Sequence, residues 1–267
     1  MSPIDEHLAI VGAAIANIAL KHVVPLFSLP PKRRPVLAGT GFFVSAHGQS
    51  YLVSATHVLD HLLKPGSLHY YVEPHILRRV TGRVLRSDPP PGANRTDDRL
   101  DIGVVRLVGS RLPPYPAVQK ALLPLSALRP WALPRSQKQY MVVGFPESKS
   151  RPNPKSGELP SKASAFSAPS PAVTEYARLG VGPESHLVLS VDVKRMSVPG
   201  GAIQAIADPH GMSGSPVWLL YDEVEPNDPT STPVVGILIE HHKAAKAVVA
   251  TDIAYAIRLI NEAALTL

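Results

Sequence analysis

The sequence of 267 residues contains no cysteine. That excludes a disulfide scaffold, thiolate catalysis, iron–sulfur ligation and any cysteine-held zinc, and it leaves the redox compartment open. A covalent catalyst built from this chain is restricted to Ser, Thr, Lys, His or a carboxylate as nucleophile. Aromatic residues are scarce at 6%, and 18 glycines are outnumbered by 29 prolines. Proline lacks a backbone donor, so long uninterrupted helices are disfavoured over most of the chain and many short extended segments are expected. A long hydrophobic run is also missing. The best candidate, residues 8–20, is shorter than the roughly 20 residues a membrane span needs. Asp5 and Glu6 stand where a secretory leader carries positive charge, and no small-x-small cleavage site precedes Lys21. The reading is a helix retained on the protein, with Ile4, Leu8, Val11, Ile15 and Ile18 at helical spacing. No membrane association and a cytoplasmic location are the corresponding expectations.

What is present is an ordinary globular composition, 45% hydrophobic and 18% charged, too apolar for a disordered chain. The net charge of +6 comes from 27 basic against 21 acidic residues, with no basic run longer than Lys32-Arg33-Arg34. Scattered aromatics do not interleave with these charges, so nucleic acid is disfavoured as a partner. Short runs rich in β-branched residues and bounded by Gly and Pro mark candidate strands at 23–27, 41–45, 51–54, 68–72, 80–85 and 102–107. A second series, 140–144, 187–193, 216–220, 234–240 and 247–251, follows a Pro-rich bridge at 112–134. The predicted class is all-β, two six-stranded barrels packed together with a helix at each end. The expected divisions are a helical segment at 1–21, a first barrel at 22–125, and a second barrel plus C-terminal helix at 126–267. Ser, Pro and Lys dominate 147–171, which reads as a long exposed loop. Asp252 is a candidate N-cap for a closing helix whose apolar face carries Ile253, Ile257 and Ile260.

Three local patterns carry chemistry. Gly211-Met212-Ser213-Gly214-Ser215-Pro216 sets a serine between glycines, where a tight turn can aim the Gly211 and Ser213 amides at a developing oxyanion; a plain Gly-Ser hairpin turn fits the same string. Ser54-Ala55-Thr56-His57 places an imidazole just past a strand, where a short helical turn would present it, although eleven histidines make any single one weak. Asp101 precedes the buried-strand pattern Ile102-Gly103-Val104-Val105. A carboxylate desolvated there needs a partner, and an imidazole N–H satisfies it while fixing the histidine tautomer. Asp97 and Asp98 fit the plainer role of turn caps.

The order His, Asp, Ser with these flanks resembles the chymotrypsin-like (trypsin-like) serine peptidases, in particular their disulfide-free bacterial members. Gly39-Thr40-Gly41-Phe42-Phe43-Val44 with Ser54-Ala55-Thr56-His57 is similar to the first-barrel signature, and Asp101-Ile102-Gly103-Val104-Val105 to the aspartate strand. Gly144-Phe145-Pro146, the Gly211–Pro216 string and Val235-Gly236-Ile237 are similar to second-barrel features. The resemblance implies a chymotrypsin-like double barrel and a serine endopeptidase: Ser213 as nucleophile, His57 as general base and then acid, Asp101 as its orienting partner, and the Gly211 and Ser213 amides as oxyanion hole. No metal or cofactor is required. A protein or peptide is the implied substrate, and a regulatory protein partner is expected for a protease acting inside a cell. The alternative is a catalytically silent double barrel that binds peptides or a partner.

Two departures from the family pattern follow. Met212 stands where zymogen-type members place an acidic residue that holds a freshly cut N-terminus, so that activation route is closed. The substrate-binding wall is expected to include Ala207, Asp208 and His210, then Ile239, Glu240 and His241. Ala207 at the pocket base would favour an apolar side chain and an inward Asp208 a basic one, with the apolar choice preferred. His241 and His242 add bulk where many members have glycine. As a His-His pair they lack further obvious metal ligands.

Overall fold

The structure is a computed structural model and describes residues 3–30, 34–64, 67–73, 76–108, 122–130, 138–151, 161–220 and 231–265. The chain opens with α1 (Pro3–Ala19) and then forms eight strands: β1 (Val23–Ser28), β2 (Val36–Ala46), β3 (Gln49–Ala55), β4 (Leu68–Glu73), β5 (Ile76–Arg79), β6 (Gly82–Arg86), β7 (Ile102–Leu107) and β8 (Leu122–Pro124). These make one sheet in the order β5-β4-β1-β2-β3-β7-β6, with β8 parallel to β2 and all other pairs antiparallel. A one-turn helix, α2 (Thr56–Leu59), follows β3.

The second sheet comprises β9 (Gln139–Gly144), β10 (Ser164–Pro169), β11 (His186–Ser190), β12 (Met196–Ser197), β13 (Ile203–Gln204), β14 (Pro216–Leu219), β15 (Val234–His242) and β16 (Ala247–Asp252). Its order is β11-β16-β15-β14-β9-β10-β12-β13. A short α3 (Thr174–Arg178) precedes β11, and α4 (Ile253–Leu265) ends the described chain. Both sheets curl into half-barrels, as expected, but each holds eight strands rather than six. The additions are the short β5, β8, β12 and β13 and the six-residue β10.

β10 corrects the reading of 147–171 as an exposed loop. Ser164, Phe166 and Ala168 are buried in alternation, and the strand pairs with β9 along its whole length. Residues 152–160 of that stretch lie outside the described set, as do 112–121 and 131–134 of the Pro-rich bridge.

The largest described core cluster joins the two sheets. Phe42, Val44, Val53 and Val104 meet Met141, Val143, Trp218 and Ile237, and α1 adds Val11, Ile15, Ala16 and Ala19 to the same cluster. α4 buries Ile253, Ala256, Leu259, Ile260 and Ala263 at the spacing of one helical face and touches β7 of the first sheet and β15 of the second. Its first turn is capped as expected: the Ala254 amide donates to Asp252 Oδ1 at 2.7 Å. No described helix is long and apolar enough to cross a membrane.

Candidate active site

The site begins with strand register. β3 and β7 are antiparallel partners with Ala55 opposite Ile102. Chain continuity therefore brings the residue before Ile102 beside the turn after Ala55. The Thr56 amide donates to the Asp101 carbonyl at 2.9 Å, and the His57 amide donates to Asp101 Oδ1 at 2.9 Å. His57 Nδ1 lies 2.5 Å from Asp101 Oδ2. Both carboxylate oxygens are thus committed to His57, one to its backbone and one to its ring. Nε2 is the nitrogen left for chemistry, and the ring is half exposed while the Asp101 side chain is 13% exposed. Asp101 adopts φ 42°, a left-handed conformation that Asp enters more readily than most residues.

Ser213 is supplied by the second sheet, in the loop between β13 and β14. Gly214 has φ +89°, and a Cβ there would lie 2.0 Å from the Thr40 carbonyl oxygen, so only glycine fits so close to β2. Thr40 itself is fully buried and fastens this loop to the first sheet. Its amide donates to the Ser213 carbonyl at 2.8 Å, and its hydroxyl donates to the Gly211 carbonyl at 3.4 Å while accepting from the Phe145 amide at 3.0 Å.

The amides assigned to the oxyanion hole are directed by the carbonyls of their own peptide groups. The His210 carbonyl accepts from the Glu147 amide at 2.8 Å, and the Met212 carbonyl accepts from the Ser215 amide at 3.0 Å. In a trans peptide the N–H points opposite to the C=O. The Gly211 and Ser213 amides accordingly face away from these anchors, and among the described residues neither donates to a protein carbonyl. The Ser213 hydroxyl donates to the Ile239 carbonyl at 3.2 Å.

A cleft of about 450 Å³ gathers His57, Ser213, Gly211, Asp208, His210, Glu240 and His241, together with Leu37, Ala38, Glu147, Pro209, Leu238 and Lys243. Ala207 and Ile239, also expected on the wall, are not among its lining residues; Ala207 is half-buried and Ile239 buried. The charged groups of the wall are paired with one another. His241 Nδ1 is 3.3 Å and Lys243 Nζ 3.6 Å from the Asp208 carboxylate. His210 Nε2 is 3.1 Å from Glu147, and His242 Nε2 is 2.7 Å from Glu240. Burial pushes the His241 imidazole below its ordinary value, against the opposing pull of Asp208. Burial also acts to raise the Asp208 carboxyl, but the His210 amide, His241 and Lys243 outweigh it and hold the group low. Among the described residues no group of three His, Asp or Glu side chains could hold a metal ion.

The family model of the trypsin-like peptidase domain matches residues 39–224, more than half of the chain, and its span includes His57, Asp101 and Ser213. The chain belongs to the trypsin-like peptidase family. No curated protein matches it in sequence. Among solved structures, neuropsin, a serine protease expressed in the limbic system of mouse brain, shares 16% identity at a TM-score of 0.56, with 91% of this chain and 94% of that one covered. Kallikrein-related peptidase 10 in complex with Zn2+ shares 18% identity at a TM-score of 0.52, covering 92% and 97%. At these identities the likeness is one of fold, the chymotrypsin-like double barrel. In this trypsin-like peptidase domain Met212 is fully buried in the second-sheet core beside Val217 and Leu238.

Sequence reasoning did not find Glu147, whose amide fixes the His210–Gly211 peptide, or the bonding role of Thr40. Thr40 stands inside the Gly39-Thr40-Gly41 string, where a threonine between glycines was the available signal. Glu147 acts through its backbone, which leaves no side-chain pattern to read.

Proposed function

We propose that this protein is a serine endopeptidase in which Ser213 Oγ attacks a peptide carbonyl, His57 accepts its proton, and Asp101 orients the ring and stabilises the resulting imidazolium. The tetrahedral oxygen is received by the Gly211 and Ser213 amides. His57 Nε2 then delivers the proton to the departing amine, leaving an acyl-enzyme that water hydrolyses by the same steps in reverse. The observation that carries this reading is that His57, bonded to Asp101, lines the same cleft as Ser213. Its test is hydrolysis of an unfolded protein substrate by wild type, Ser213→Ala and His57→Ala. Cleavage by wild type and loss of about three orders of magnitude or more in either variant is expected, since the nucleophile and its base act as a unit. Equal cleavage by all three would overturn the assignment.

The second reading, a silent double barrel that binds peptides, is favoured by one observation. The Ser213 hydroxyl is bonded to the Ile239 carbonyl at 3.2 Å, so the nucleophile rests on the wall strand. In the endopeptidase reading, substrate entering the cleft frees the hydroxyl to turn toward His57. In the silent reading Ser213→Ala retains peptide binding and wild type releases no product.

Substrate class follows from the paired wall charges. Because Asp208 already faces His241 and Lys243, Glu147 faces His210 and Glu240 faces His242, no lone carboxylate among the described residues of the cleft is left to select a basic side chain. Peptides with an uncharged residue on the acyl side of the scissile bond are expected to give higher kcat/KM than the Arg or Lys equivalents, and a reversed order would contradict this. Regulation by a partner protein belongs to the same proposal and is supported by Met212, which removes the carboxylate that would hold a newly cut N-terminus.

A further inference from the structure

His57 and Asp101 are bonded to each other, and the chain on either side of Asp101 is held by further bonds. Asp101 is a non-glycine residue at positive φ, and such a conformation persists only where its surroundings over-determine it. The chain on both sides of Asp101 is tied to the same two side chains. Leu100 donates its amide to Asp98 Oδ1 at 3.2 Å, and Ile102 donates its amide to Ser87 Oγ at 3.0 Å. The Ser87 hydroxyl in turn donates to Asp98 Oδ2 at 2.6 Å. One connected unit therefore grips the residues before and after Asp101.

That unit is itself braced against the helix carrying His57. The Asp98 side chain is only 3% exposed, and Arg95 Nη2 lies 3.0 Å from its Oδ2. Arg95 also donates to the Ser87 carbonyl at 2.7 Å and, through Nε, to Asp60 Oδ2 at 3.3 Å, while Arg86 donates to Asp60 Oδ1. Asp60 begins the 3-10 turn that continues directly from α2, three residues after His57. The Ser87 hydroxyl also lies 3.4 Å from that of Thr56, at the start of α2. Buried carboxylates require partners. Here the partners of Asp98 and Asp60 join the Asp101 loop to the His57 helix.

We propose that Asp98 and Ser87, braced through Arg95 to Asp60, are positioning residues that set Asp101 against His57. The proposal rests on the endopeptidase reading above. Removing the brace does not remove a group that touches substrate; it lets the Asp101 loop relax and loosens the imidazole. Misplacement of a catalytic group by about 1 Å costs on the order of 10²-fold in rate. The loss should fall on kcat with KM nearly unchanged, the pattern of an interaction that matters only in the transition state.

The test compares wild type, Asp98→Asn and Ser87→Ala by two readouts. One is kcat and KM on a peptide substrate. The other is the low-field proton NMR resonance of a His57 Nδ1–H bonded to Asp101, which does not depend on turnover. The expected result is a kcat lowered by about 10- to 100-fold with little change in KM, and a low-field resonance that is present in wild type and broadened or lost in both variants. Ser87→Ala is the milder change and reads the same brace where Asp98→Asn compromises folding. Variants that keep both the resonance and full kcat would overturn the positioning role while leaving the endopeptidase reading intact. A wild type with no low-field resonance and no turnover would instead overturn the reading on which the proposal rests.

Discussion

Whether Gly211 can serve an oxyanion depends on one amide that lies outside its own loop. The Glu147 N–H holds the His210 carbonyl at 2.8 Å and thereby aims the Gly211 N–H the other way. Glu147 opens a 3-10 turn and follows Pro146, which is extended at ψ 143°. That conformation accepts proline at 147, so Glu147→Pro deletes the donor with little steric cost. Glu147→Ala deletes only the carboxylate that pairs with His210 and Arg151. Glu147→Pro is expected to lower kcat toward the loss for one oxyanion donor, on the order of 10²- to 10³-fold, with KM little changed. Glu147→Ala should stay close to wild type. Equal behaviour of the two variants, measured on one peptide substrate, would contradict the backbone role.

At the scale of elements, β10 shows how composition can hide a strand. Ser164-Ala165-Phe166-Ser167-Ala168-Pro169 contains a single large apolar residue, and weak strand formers surround it. Phe166 is nevertheless completely buried among Tyr140, Val142 and Leu187. Phe166→Ala is expected to destabilise the fold by about 3–5 kcal/mol in chemical denaturation, whereas a position in an exposed loop would change stability by less than about 0.5 kcal/mol. β2, β3, β7, β15 and β16 were legible because Val, Ile and Phe recur in them between Gly and polar breaks. β12 and β13 are two residues each and carry no periodicity. The order His57, Asp101, Ser213 was readable, and so was the helical turn at His57. What could not be read were bonds between distant backbone groups, such as Thr40 to Ser213 and Glu147 to His210, because no side-chain pattern encodes them. Asp98 reads in sequence as a turn cap. It does cap Leu100, but its tie to Arg95 and Ser87 appears only once β6 and β7 are paired.

For the whole molecule, the cleft lies where the two sheets meet, with His57 and Asp101 from one and Ser213 from the other. Its geometry therefore depends on the shared core and on bonds that cross the seam, such as His186 Nε2 to the Arg99 carbonyl at 2.7 Å. Global stability should respond to mild acid in a definite direction. Burial holds the imidazoles of His61, His69 and His241 below their ordinary 6.5. As pH falls through about 6.5 the unfolded chain takes up protons that these folded groups refuse, so stability declines. A thermal midpoint that drops between about pH 7 and about pH 5 is predicted from this linkage, and a flat or rising midpoint would contradict it. Labelling with a fluorophosphonate serine-hydrolase probe asks whether Ser213 is an activated nucleophile served by His57. Covalent labelling of wild type at Ser213, and none of Ser213→Ala or His57→Ala, is the expected result. Folded wild type that stays unlabelled, or His57→Ala that labels as fast as wild type, would contradict it.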